Sequence, residues 1–269
     1  MALPAAATGI LLVALPGLGS SPRPPQAATP QPLPLRWKLR KGDAFRVTAK
    51  LRITGRRPDR SEGLELDIFA EILLTVQDAT DADASCALKT TRFRHKQTGS
   101  GRGLDIEFED GKLKKAEGEE IQNEREEAEK NLSTPTVVHI DPLGRISGVP
   151  HLGNRPLDPD GFLPLTLQLP RAGSTSAARA MDGLASAHEE GDRKDDLEFE
   201  GTQRFRGMEC ALFRLQRKDA GEYASSEISA QAYFAMEEGF LLRKTVSKKT
   251  VSREFTSDDA LEVEWTKIR

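Results

Sequence analysis

Apolar and polar residues alternate along much of this chain. Leu35, Trp37 and Leu39 alternate with Arg36, Lys38 and Arg40. After Gly42, the residues Phe45, Val47, Ala49, Leu51 and Ile53 alternate with Arg46, Thr48, Lys50, Arg52 and Thr54. The longest run places Leu64, Leu66, Ile68, Ala70, Ile72, Leu74 and Val76 on one parity. Glu65, Asp67 and Glu71 take the other, with Phe69 and Leu73 as exceptions. A period of two predicts strands with one buried face and one wet face.

The loop 55–63 joins two of these runs into a predicted hairpin. Pairing Leu51 with Leu66 sets Ala49 against Ile68 and Phe45 against Ile72. The same register sets Arg52 against Glu65, Lys50 against Asp67 and Arg46 against Glu71. Apolar pairs on one face and opposite charges on the other are what a hairpin register requires.

Further strands are predicted at 85–95 and at Leu104, Ile106 and Phe108, the latter ending in an Asp110-Gly111 turn. In the strand from Ser85, Leu88 and Phe93 fall on opposite parities. A bulge near Thr90 and Thr91 would flip the parity; otherwise Arg92 and Arg94 point inward, which would be a functional clue. Thr136–Asp141 and Arg145–Val149 flank an Asp-Pro-Leu-Gly turn. Later strands cover 197–205, 209–217, 227–236, 240–251 and the stretch through Leu261, Val263 and Trp265. Residues 117–132 carry Ile121, Arg125, Ala128 and Leu132 at helical spacing, which predicts one short helix. A second is open at 174–190, weakened by Gly183 and Gly191.

The fold class is therefore mainly β: a large curved antiparallel sheet, as a half-barrel, a barrel or two packed layers, with one or two short helices. Short echoes, such as Cys86-Ala87-Leu88 and Cys210-Ala211-Leu212, leave open a pair of similar β-rich halves at 35–118 and 135–269. An acidic short helix or linker at 119–134 would join them.

The N-terminus breaks the pattern. An apolar run from Gly9 to Gly19 is too short to span a bilayer and fits a signal peptide at 1–19. No Lys or Arg precedes it. Residues 20–34 read as a proline-rich disordered tether. The expected location is extracytoplasmic, periplasmic or secreted, with no transmembrane span.

Composition narrows the function classes. The 269 residues are 37% hydrophobic and 30% charged, with net charge -3, so no basic excess points to nucleic acid. No catalytic residue, cofactor site or metal site emerges. His95, His139, His151 and His188 lack metal-ligand spacing, and there is no Gly-x-Ser-x-Gly elbow. Gly99-Ser100-Gly101-Arg102-Gly103 lies between strands and lacks the Lys-Ser/Thr of a phosphate loop. Asp78, Asp81 and Asp83 lack the Gly and Glu of a calcium loop and read as a turn. Cys86 and Cys210 fall on parities that point to opposite faces, which favours two buried free thiols over a bridge.

The segments Leu35-Arg36-Trp37-Lys38-Leu39-Arg40-Lys41-Gly42-Asp43 and Ala232-Tyr233-Phe234-Ala235-Met236-Glu237-Glu238-Gly239-Phe240-Leu241-Leu242-Arg243 carry a resemblance. With the order of long hairpins, they resemble an uncharacterised family of exported bacterial β-rich proteins. Their hairpin pattern is loosely similar to periplasmic lipoprotein carriers, whose curved half-barrels hold acyl chains. The resemblance spans most of 35–269 and transfers no functional residue.

Two functions are expected from these readings. In the first, a concave apolar face holds a lipid or other hydrophobic ligand, lined by Ile68, Ile72, Leu74 and Phe108. In the second, the core is closed and the module binds another envelope protein. Arg36, Lys38, Arg40 and Lys41, left without assigned partners, form a candidate basic patch. An enzyme is a third reading, needing carboxylates or histidines that only folding brings together.

Overall fold

The computed structural model describes residues 35–58, 63–99, 103–118, 125–147, 169, 178–179, 196–221 and 223–269. The signal-peptide and tether readings and the prolines of 150–170 lie outside the described residues; of the helix expected at 174–190 only Ala178–Arg179 are described, and they are strand rather than helix.

The described chain forms thirteen strands and one helix. The first meander comprises β1 (Ala44–Arg56), β2 (Leu64–Ala79), β3 (Ala84–Thr98), β4 (Leu104–Glu109) and β5 (Lys112–Glu117). Helix α1 (Arg125–Ser133), β6 (Thr136–Ile140) and β7 (Ile146–Ser147) follow. The second meander comprises β8 (Ala178–Arg179), β9 (Asp196–Phe205), β10 (Met208–Ala220), β11 (Ala224–Ala235), β12 (Phe240–Ser252) and β13 (Thr256–Lys267).

These strands make one antiparallel sheet in the order β5-β4-β3-β2-β1-β13-β12-β11-β10-β9-β8. The first and last long strands, β1 and β13, pair at its centre, so the chain's two ends tie the two meanders together. Strand β6 pairs with the part of β3 that β4 leaves free, and carries β7. The sheet is open, which removes the closed-barrel alternative.

Side-chain parity assigns two faces. One inner row runs Phe108, Phe93, Ala70, Ala49, Val263, Lys244, Ala232, Phe213 across eight strands. The next runs Ile106, His95, Ile68, Leu51, Leu261, Val246, Ala230, Leu215. On the outer face, Lys115, Glu107, Arg94, Phe69, Lys50, Glu262, Thr245, Gln231, Arg214 and Glu198 form a corresponding row of mostly charged and polar residues.

The hairpin of β1 and β2 keeps the expected faces, but its register is two residues from the expected one. Leu51 faces Ile68, Ala49 faces Ala70 and Phe45 faces Leu74, while Arg52 faces Asp67 and Lys50 faces Phe69. A two-residue slip leaves every side chain on its own face, so burial cannot separate the two registers. Nor do the charges separate them, because long side chains reach diagonal neighbours. Arg52 still meets Glu65 at 2.9 Å and Arg46 still meets Glu71 at 4.0 Å, while Lys50 turns to Glu262 on β13 at 3.5 Å.

The bulge in β3 is present where the parities conflict. Glu71 faces Arg92 and Ile72 faces Thr90, leaving Thr91 as the extra residue. Leu88 and Phe93 are both buried, and Arg92 and Arg94 point outward to Glu109 and Glu107. Of the span predicted to be helical, Arg125–Ser133 is helix among the described residues, residue 117 belongs to β5, and Leu132 is inserted into the core.

Residues 35–40 are not a strand, contrary to their alternation. They form an irregular strap in which Trp37 is buried while Arg36 and Lys38 are exposed. The Trp37 amide donates to Pro142 O (2.9 Å) and the Lys38 amide to Gly239 O (2.8 Å). Pro142 follows β6 and Gly239 precedes β12, five strand spacings apart, or about 24 Å on a flat sheet. Two consecutive amides bridge only roughly 10 Å. The sheet therefore curls at this end, and the strap laces it.

Candidate ligand site on the inner face

The laced end of the inner face is aromatic. Trp37 packs edge-on against Phe234 (5.5 Å) and Trp265 (5.0 Å), and Phe45 packs against Trp265 (5.4 Å) and Phe240 (5.1 Å). Edge-to-face contacts of this kind add to the area these rings bury.

All four residues expected to line an apolar site lie on this face. Ile68, Ile72, Leu74 and Phe108 are 4%, 1%, 1% and 2% exposed, so each is packed. Ile72 pairs with Val47 and Leu74 with Phe45, next to the aromatic cluster, whereas Ile68 lies further along the trough.

The four residues of the candidate basic patch have different surroundings. Lys38 Nζ donates to Met236 O (3.2 Å) and Glu237 O (3.0 Å), which clamps the β11–β12 turn. Lys41 lies 3.6 Å from Asp78. Arg36 and Arg40 are exposed.

Sequence reasoning missed the polar residues on the inner face. Lys244 is fully buried between Ala232 and Val263, and His95 is 3% exposed beside Phe93. An ammonium at that depth must be paired, since desolvating it alone costs several kcal/mol. Their parity was readable: Lys244 stands between Leu242 and Val246, and His95 follows Phe93 by two.

Two cavities open on the outer face. One, about 440 Å³, is walled by Lys50, Asp67, Phe69, Arg92, Arg94 and Lys114 among others. The second, about 470 Å³, includes Lys50, Arg52, Ser229, Gln231, Thr245 and Ser247. Most of the cations here are already ion-paired, as Arg92, Arg94, Arg243 and Lys50 show.

The Asp-rich turn is held by local bonds. Thr80 Oγ1 donates to Asp83, and Asp83 Oδ2 lies 3.0 Å from His139 Nδ1.

Both cysteines are free and buried. Cys86 sits on the inner side of β3. Cys210 shares the outer parity of Arg214, yet it too is buried, with Sγ near the carbonyls of Met208 (3.5 Å) and Phe205 (4.0 Å). Burial pushes the Cys86 thiol up to about 12. The neutral thiol is the form the fold favours, so the native state holds the proton longer than the unfolded chain does. Stability therefore falls as pH rises from about 9, where the unfolded thiol ionises, towards 12. Urea unfolding at successive pH values is expected to show wild type losing ground to Cys86→Ala across that window. Parallel curves would contradict the burial.

No protein-family model matches the chain, and no curated protein does. Among solved structures, the chain is similar to a DUF1329 family protein from Desulfovibrio piger, at 10% sequence identity and a TM-score of 0.19, with 84% of each chain covered. At that likeness the match bears on neither activity nor ligand.

Proposed function

We propose that this chain is a non-catalytic, extracytoplasmic binding module that holds a lipid or other hydrophobic ligand against the inner face of its sheet. The observation that carries the reading is the shape and chemistry of that face. It is an open, curled, largely apolar surface spanning eight strands, laced and aromatic at one end. Among the described residues, α1 is the one helix available to cover it. The described residues of that face are packed, so a ligand there would take the place of what covers them, with apolar burial worth roughly 25 cal/mol per Å². The loose likeness to lipoprotein-carrier half-barrels agrees with this reading.

A second reading has its own support. Most described inner-face residues of the first meander are 0–8% exposed, with Ile53, Leu66 and Leu104 partly buried, which suits a filled core and a protein-interaction module of the envelope.

Native mass spectrometry on protein purified from its own host separates the two. The carrier reading expects a bound mass of several hundred daltons that organic extraction removes. A clean apo mass would remove the carrier reading and leave the interaction module.

A further inference from the structure

Phe69 breaks the alternation of β2, and the fold leaves it on the outer face. It stands between Lys50 on β1 and Arg94 on β3 and is half-buried. The Arg92 guanidinium lies 5.9 Å from its ring centre. The ring lines the outer cavity of about 440 Å³. A cavity with an aromatic wall and convergent polar groups is the usual form of a small-molecule site. The two outer cavities meet at Lys50 and Asp67, which line both. Together they reach from Glu107 and Glu109 on β4 to Ser229 and Gln231 on β11. That is six strand spacings, or about 29 Å on a flat sheet.

The walls decide the class of ligand. Lys114 apart, every Lys and Arg that lines the two cavities has a carboxylate within 3.5 Å. An anion would compete with those carboxylates, and a lipid tail would meet charged groups on most sides. What the walls offer is hydrogen bonding of both signs, held in place by the ion pairs. A guanidinium carries five N–H donors and a carboxylate about four acceptor sites, so one pair leaves most of that capacity unused. Ser229, Thr245 and Ser247 add hydroxyls in the second cavity. An aromatic ring, fixed donors and fixed acceptors, with the charges largely paired off, suit a ligand with C–H faces and hydroxyl edges.

We infer that this outer-face groove binds a neutral linear oligosaccharide. One sugar ring packs its C–H face on Phe69. Its hydroxyls bond to the Arg92–Glu109 and Arg94–Glu107 pairs, which are closed at 3.1 Å and 3.5 Å. The chain then passes Lys50 and Asp67, and later rings bond to Thr245 and Ser247. The groove lies on the face opposite the one the carrier reading uses, so the inference stands or falls independently of what the inner face holds.

Isothermal titration calorimetry on the full chain tests it. The probes are three neutral hexasaccharides, maltohexaose, cellohexaose and hexa-N-acetylchitohexaose, with hexagalacturonate as an anionic chain of the same length. Wild type is expected to bind at least one neutral probe with Kd below about 1 mM. Hexagalacturonate should bind about tenfold more weakly, and added salt should leave the neutral affinity unchanged. Phe69→Ala should weaken the neutral probe about tenfold, the scale of a lost ring contact. Ser247→Arg fills the second cavity without touching Phe69 and should weaken it by a similar factor. Ser247 is exposed on the wet face, so that variant is expected to fold, and circular dichroism checks both. If no neutral probe binds below about 1 mM, the inference is overturned. Equal or tighter binding of hexagalacturonate overturns the neutral class. If both variants bind as wild type does, the sugar sits elsewhere and the groove is wrong. If only Phe69→Ala weakens binding, the continuous path past Lys50 is wrong.

Discussion

Replacing Trp37 with alanine is expected to lower the unfolding free energy by about 3–5 kcal/mol, the usual cost of truncating a buried Trp. The indole is 6% exposed and touches Phe234 and Trp265. Its backbone belongs to no strand, so two amide bonds and this ring hold the strap in place. Losing the ring removes the aromatic contacts and weakens the lacing between the β6–β7 and β11–β12 turns. Denaturant unfolding of wild type and variant measures the difference. A change below about 1 kcal/mol would mean that the strap does not brace the curled end. Lys38→Ala is the control: it removes two exposed hydrogen bonds to Met236 and Glu237, and its cost should be about 1 kcal/mol.

Gly239→Ala is expected to cost about 2–4 kcal/mol, through backbone strain and overpacking together. Gly239 has φ +70°, where an L side chain is strained. A Cβ there would stand 2.5 Å from Lys38 Cβ and 2.8 Å from Lys38 N. Neither atom belongs to a flexible side-chain end, so the strap itself must move. The Lys38 amide should then lose its bond to Gly239 O, and its hydrogen exchange should accelerate. The Trp37→Ala, Gly239→Ala double variant is expected to cost less than the sum of the two, since both act on one strap. Full additivity would show that they act on separate elements.

The β assignment was legible because period-two alternation depends only on which residues can face water. The bulge at Thr91 was legible for the same reason: Leu88 and Phe93 cannot both be buried in a regular strand, and an extra residue resolves the conflict. Alternation misled at Leu35–Leu39, because an irregular strap lying over a core also buries every second side chain. The same pattern placed Ile68, Ile72, Leu74 and Phe108 on the inner face, where they are buried. Lys244 and His95 were not singled out as inner-face residues, since a charged or polar residue on an apolar parity reads as an interruption until its cross-strand neighbours are known.

The sequence by itself determined the apolar face of each long strand and that the strands form an antiparallel sheet, since both follow from side-chain parity and turn spacing. It also determined that the two thiols lie on opposite parities of separate strands. Only the tertiary structure decided the register of β1 on β2, because a two-residue slip preserves both faces and long charged side chains pair in either register. It alone decided that β1 and β13 meet at the centre and that the sheet stays open. Such contacts join residues about 200 positions apart, and local pattern carries no information on which distant edges pair. The curl at the Trp37 end is the same kind of fact: it depends on two consecutive amides reaching turns that lie about 100 residues and 200 residues along the chain.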